Sequence, residues 1–224
     1  MGPGARDGFH GDIDSANTHV ARSVSLLAFY AVVVTLGILS MGFQLLASRL
    51  LNPHFGSSII VWAWLISTFL AAFSLGSMLG GWVSNLAAAP RRRGQMIGAI
   101  GAVITLALAA LFGRALLGQI EVAFENVSTA LFVSCVGIFF LPVTALSSFG
   151  PQCVQFLASR GTPPGKASGI VYGVSTLGNI AGVMLTAFVF IPHFHVSTLL
   201  YVWLAVAVAS LASLLRLLRP ASAA

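Results

Sequence analysis

The amino-acid sequence predicts an all-α, polytopic membrane protein, a bundle of six transmembrane helices. Three observations carry this expectation. Of 224 residues, 58% are hydrophobic and only 7% are charged, against about 25% charged in an average soluble domain. A soluble fold with so few charges could not cover its surface, whereas lipid asks for an apolar one. The mean hydropathy is +0.97. The apolar residues also fall into six separate runs, each with at least about 18 residues, enough to cross ~30 Å of hydrocarbon.

Residues 1–23 read as a polar N-terminal tail holding Arg6, Asp7, Asp12, Asp14 and Arg22, and such a tail is expected to be poorly ordered. It lacks a typical signal-peptide start, and the apolar segment after it is too long for a cleaved leader. The six-helix domain covers 24–217, with spans expected at 24–48, 57–84, 96–113, 127–149, 168–191 and 196–215. Between the third and fourth spans, residues 114–126 place Leu116, Leu117, Ile120 and Phe124 at helical spacing, with Glu121 and Glu125 on another face. That pattern fits a short amphipathic helix at the outer interface or a structured loop. Pro142 is expected to kink the fourth span. A short tail, 218–224, closes the chain.

Basic residues set the orientation. Nine of the eleven Lys and Arg fall on one side: Arg6 and Arg22, Arg91, Arg92 and Arg93, Arg160 and Lys166, Arg216 and Arg219. Arg49 and Arg114 fall on the other. The richer side is expected to be cytoplasmic, which puts both termini in the cytoplasm of a multi-pass protein of the bacterial inner membrane. A pI near 10.4 in a soluble protein would raise nucleic acid as a partner. No basic stripe with interleaved aromatics exists here, so no nucleic-acid partner is expected.

Reaction chemistry needs titratable groups, an activated nucleophile or a metal cluster inside the fold. The aspartates all lie in the tail and the two glutamates in 114–126. No catalytic, cofactor-binding or metal-ligating residue is expected. His193 and His195 flank Phe194 after Pro192, and two histidines alone make a weak metal site; a wetted turn is the plainer reading. Cys135 lies inside an apolar run and Cys153 just past the end of the same run, and one helix separates them by more than the ~7 Å that a disulfide allows. The sequon at Asn126 matters only in a secretory pathway.

Among polar residues the spans bury Gln44 and Asn179 deepest, followed by Ser74, Thr144, Ser175 and Thr176. Each is a candidate membrane-embedded site residue or an interhelical hydrogen bond worth ~0.6 kcal/mol. Arg49, at the outer end of the first span, either snorkels to the interface or bonds the carbonyls of a re-entering segment, Asn52 to Gly56. Small residues recur every fourth position at Gly76 and Gly80, Gly169 and Gly173, and Gly178 and Gly182. This spacing lets backbones approach closely, either within the bundle or at a homodimer or partner face. On the cytoplasmic side, Arg91, Arg92, Arg93, Arg160 and Lys166 form a basic surface.

Two blocks of the sequence resemble the membrane region of fused MFS/spermidine synthase proteins. The first is QLLASRLLNPHFGSS from Gln44 to Ser58, followed by Val61-Trp62, Ser74 to Ser77 and Gly80-Gly81. The second runs from Gly169 through Tyr172 and the stretch Ser175 to Asn179 to Gly182, closing with Ile191-Pro192. The resemblance covers nearly all six spans and implies a six-helix bundle like one half of a major-facilitator fold. Gln44 stands where that family usually has Glu, and Asn85 near its usual Asp, so two negative charges are missing. The soluble synthase domain, which follows the helices in fused members, has no counterpart before Ala224, so the chain resembles the membrane half of a split or truncated member.

These readings lead to one leading function and two others. The chain is expected to be a non-catalytic membrane anchor or scaffold, embedded in membrane lipid and binding a partner protein such as a separate synthase-like chain. The others are a dimeric half-transporter for a small organic molecule such as a polyamine, and the membrane part of a split aminopropyltransferase.

Overall fold

The computed structural model describes the backbone of residues 5–218 and the side chains of residues 25–218. Among the described residues every regular element is helical, and six helices are long and apolar enough to cross a membrane. The expected all-α bundle of six membrane helices is therefore the architecture observed.

The first helix, α1, runs Ala5–Phe55, with its apolar part at Ser25–Phe55. Helical backbone from Ala5 replaces the poorly ordered tail expected over 1–23. No proline stands between Pro3 and Pro53 to interrupt it. The side chains of that stretch, with residues 1–4 and 219–224, lie outside the described residues. At the other end, Asn52 to Phe55 form the last turn of α1 rather than a re-entering segment. Gly56, at φ +70°, stops the helix, its N–H donating to the Asn52 carbonyl at 2.9 Å. Left-handed backbone of this kind favours glycine. Ser58 then caps α2 (Ile59–Ser84), its hydroxyl accepting from the Val61 N–H at 3.3 Å.

The third helix, α3 (Ala88–Ala123), has 36 residues and reaches about 54 Å at 1.5 Å per residue. It takes in residues 114–123 of the segment 114–126, for which a separate interfacial helix or a loop is expected, and leaves 124–126 as the connection. The turn from 114 to 123 holds no Gly-Pro break, and Leu117 stays fully buried, so the helix simply continues past the membrane surface. Asn126 ends the connection by capping α4 (Val127–Ala158): its Oδ1 accepts from the N–H groups of Ser128 at 2.9 Å and Thr129 at 3.2 Å.

α4 extends nine residues beyond its expected end and carries a π-helical turn at Cys135–Phe140. This turn lies just before Pro142, whose missing N–H and bulky ring disfavour the ordinary bond to the Ile138 carbonyl. The expected kink is thus a π bulge. The same device recurs in α5 (Pro164–His193), where Thr186–Phe190 is π-helical just before Pro192. Between the two helices, Gly161 (φ +91°) makes a Schellman turn, with Thr162 N–H to Leu157 O at 3.3 Å and Gly161 N–H to Ala158 O at 3.1 Å. The last helix, α6, is Val196–Leu217.

Packing groups these helices in pairs. α1 lies along α5 and α6, α2 along α4, and α3 rests on α4 and α6. One cluster of buried side chains gathers Phe43, Phe69, Phe139 and Trp203; the other gathers Phe29, Leu146, Phe149 and Leu211. Trp203 ties α6 to α1 by donating to the Leu39 carbonyl at 3.2 Å. α2 and α5 have no extensive packing against one another, and the four helices α1, α2, α4 and α5 line a shared cavity.

Candidate functional site

The site begins with glycine. In lipid, helices gain little from hiding apolar surface, so association rests on close backbone contact. Gly178 and Gly182 of α5 face the Val34 and Ile38 carbonyls of α1, and Gly37 of α1 faces the Ser175 carbonyl in return; a Cβ at any of the three would collide with backbone. Gly76 and Gly80 of α2 sit equally tightly on Thr144 and Ser148 of α4. There Ser147 donates to the Ala72 carbonyl at 3.3 Å, joining the two helices. These four of the six expected packing glycines hold the bundle together internally.

Gly169 and Gly173 differ. A Cβ at either meets nothing within 4 Å, and both lie exposed on α5. Leu177 (66% exposed), Ile180 and Phe188 continue the same outward face. α5 is the least enclosed of the six spans, with 17% of its apolar window buried. The glycine pattern that looked uniform in sequence therefore divides into two used pairs and one open pair.

Beside this face, α1, α2, α4 and α5 enclose a cavity of about 260 Å³ whose polar lining is uncharged: Ser40, Ser77, Ser147, Tyr172, Ser175 and Asn179. Gln44 lies one helical turn beyond Ser40 on the same side of α1. Interhelical hydrogen bonds, one of the readings open for Gln44 and Asn179, are not formed: both side chains are half-buried and neither bonds any described residue. Polar bonds between spans come instead from Ser147 and Trp203, which donate to main-chain carbonyls, and from Trp64 of α2, whose Nε1 donates to the Ser128 hydroxyl of α4 at 3.3 Å. An amide left without a partner in an apolar environment costs about 1–3 kcal/mol or more.

Arg49 is exposed and lines a second cavity of about 180 Å³ with Ser48, Asn52, Ser57 and Trp62. It does not bond the Asn52–Gly56 carbonyls, because these are turned along the helix axis of α1. At the same end, His54 Nδ1 and Glu121 Oε2 lie 2.6 Å apart, tying the end of α1 to the end of α3. This pair was not foreseen: the residues are 67 positions apart, and only the extension of α3 brings Glu121 level with His54.

The opposite end carries the arginines. Arg160 Nη1 donates to the Ser25 hydroxyl at 3.0 Å, and its guanidinium stacks 4.2 Å from the Phe156 ring centroid. Arg91 and Arg92 are half-buried, and Arg93 and Lys166 are exposed. Arg91 faces a small cleft together with Gln95, Gln152 and Ser159. Cys135 and Cys153 are both free and buried, as expected of small apolar side chains, although Cys153 lies within α4 rather than past its end.

No protein-family model, curated protein or solved structure matches the chain. The resemblance to fused MFS/spermidine synthases therefore stands on the motif residues alone.

Proposed function

We propose that this protein is a non-catalytic membrane subunit that anchors a partner protein, resembling the membrane half of a split MFS/spermidine synthase. The observation that carries the reading is the open α5 face. Gly169 and Gly173 present a close-approach surface with nothing on it, while the equivalent pairs Gly76/Gly80 and Gly178/Gly182 are fully used. Lipid chains gain nothing from that geometry; a second transmembrane helix does. The unpartnered amides of Gln44 and Asn179 support the reading, since a partner side chain or backbone would satisfy them. Chemistry has little to work with, because no Asp, Glu, Lys, Arg or His lies between residues 59 and 84 or between 167 and 192. The orientation that goes with this proposal is the bacterial inner membrane with both termini cytoplasmic, as the distribution of basic residues implies.

Size analysis of the full chain in mild detergent tests the proposal. The 23.3 kDa chain is expected to run in a complex of defined stoichiometry with a second protein, and Gly173→Leu is expected to release it as a folded monomer. Wild-type chain that runs as a monomer under conditions that keep it folded removes the proposal. A second reading, a homodimeric half-transporter for a small organic molecule, has its own support in the 260 Å³ uncharged polar cavity. A complex of two identical chains, together with saturable uptake of labelled putrescine or spermidine into proteoliposomes, would favour it.

A further inference from the structure

The arginine-rich end of the bundle holds a polar cleft beside an apolar groove, and the two share a lining residue, Gln152. The cleft is formed by Arg91 and Gln95 of α3, Gln152 and Gln155 of α4 with Ser159 just past its end, and Ser84 of α2. Gln95 is 5% exposed and Gln152 is 4% exposed. The Gln95 side chain makes no hydrogen bond with any described residue. Gln152 spends its Nε2 on the Ser148 carbonyl at 2.9 Å and leaves Oε1 buried without a partner. Of the two amides, Gln152 holds a polar atom that is fully buried without a partner, a rare condition in folded proteins. Among the described residues Arg91 has no carboxylate to pair with, since Glu121 near the far end of α3 and Glu125 just beyond it lie at the opposite end of the bundle. The cleft measures about 50 Å³, and one water needs roughly 10–15 Å³ on that measure, so a tetrahedral oxyanion fits.

Gln152 also closes one end of a groove of about 390 Å³ between α2 and α3, floored by α4. Its walls are Trp82 and Leu79 on one side and the small residues Gly94, Gly98 and Gly101 on the other. From Gly94 to Thr105 the groove follows α3 for about 16 Å, the length of a substantial part of an acyl chain. A soluble anion would use the cleft and leave the groove empty. A phospholipid uses both.

We infer that the cleft and groove form a binding site for one anionic phospholipid, phosphatidylglycerol in type, seated at the membrane surface. Arg91 and the Gln95 amide donate to the phosphate oxygens, and one acyl chain passes Gln152 to lie against Gly98 and Gly101. A choline headgroup is disfavoured because the cleft offers its cation no carboxylate. The site is separate from the α5 face and does not depend on what docks there.

Native mass spectrometry and thermal melting of the full chain in nanodiscs test the assignment. With dioleoylphosphatidylglycerol the chain is expected to retain one lipid through delipidation and to melt higher than in dioleoylphosphatidylcholine. Arg91→Gln is expected to weaken retention at least tenfold, while Arg216→Gln, exposed on α6, leaves it unchanged. Gln95→Glu places a carboxylate one turn from Arg91 and is expected to abolish retention by pairing with it. Gly101→Leu fills the groove at a position where a Cβ meets nothing within 4 Å; it is expected to displace the lipid without lowering the melting temperature of the lipid-free chain. Equal retention of both lipids, equal losses for Arg91→Gln and Arg216→Gln, or full stabilisation by inorganic phosphate alone would each overturn it.

Discussion

Gly173 and Gly178 stand five residues apart on one helix, and the structure assigns them opposite duties. A Cβ on Gly178 would collide with the Val34 backbone, whereas one on Gly173 would meet nothing within 4 Å. Gly178→Leu should therefore force α1 from α5 and lower stability by more than about 2 kcal/mol, read as lost melting temperature in detergent. Gly173→Leu should leave the melting temperature of the isolated chain unchanged and act only on assembly. Asn179→Leu belongs to the same scale. Removing a half-buried amide with no partner should stabilise the isolated chain by up to about 1 kcal/mol, as seen in its melting curve, while weakening whatever complex satisfies that amide. A destabilised Asn179→Leu chain would mean that the amide is already bonded in the bundle.

At the scale of elements, prolines and caps decide where helices end or loosen. Pro142 and Pro192 each follow a π-helical turn, because a proline removes the donor for the preceding turn and its ring pushes that turn open. Pro142→Ala restores the donor and should let Cys135–Phe140 close into α-helix. Removing one residue's worth of slack rotates the first half of α4 by about 100°, turning Leu131 off the core. A stability loss of about 1–3 kcal/mol is expected, measured by thermal melting. Ser147→Ala, which deletes the interhelical bond to the Ala72 carbonyl along with the local one to the Thr144 carbonyl, should cost about 0.6 kcal/mol. The proline was visible in the sequence; the π turn was not, since its form depends on α2 holding Thr144 and Ser147 in place. α3 shows the reverse. Its apolar run ends near Gly113, but the helix goes on to Ala123, because helical hydrogen bonding needs no lipid and Leu117 finds cover against neighbouring helices. Joining His54 to Glu121 then contributes little to stability, since the pair is partly solvated.

For the whole molecule, six spans require both chain ends on one side of the membrane, and reporter fusions at each end check this. Both are expected to report the cytoplasm; reporters that disagree would mean an odd number of crossings. The class, the number of spans and the absence of charge from the apolar runs were fixed by composition and run length, because a bilayer sets both the length and the polarity of whatever crosses it. Which glycines work inside the bundle and which face outward could not be read from spacing, since the same four-residue interval serves both. Gln95 and Gln152, 57 positions apart, likewise show no local sign of sharing a cleft. Such assignments depend on which helix becomes whose neighbour, and in lipid that choice follows from detailed surface fit rather than from hydrophobicity, which all six helices possess alike.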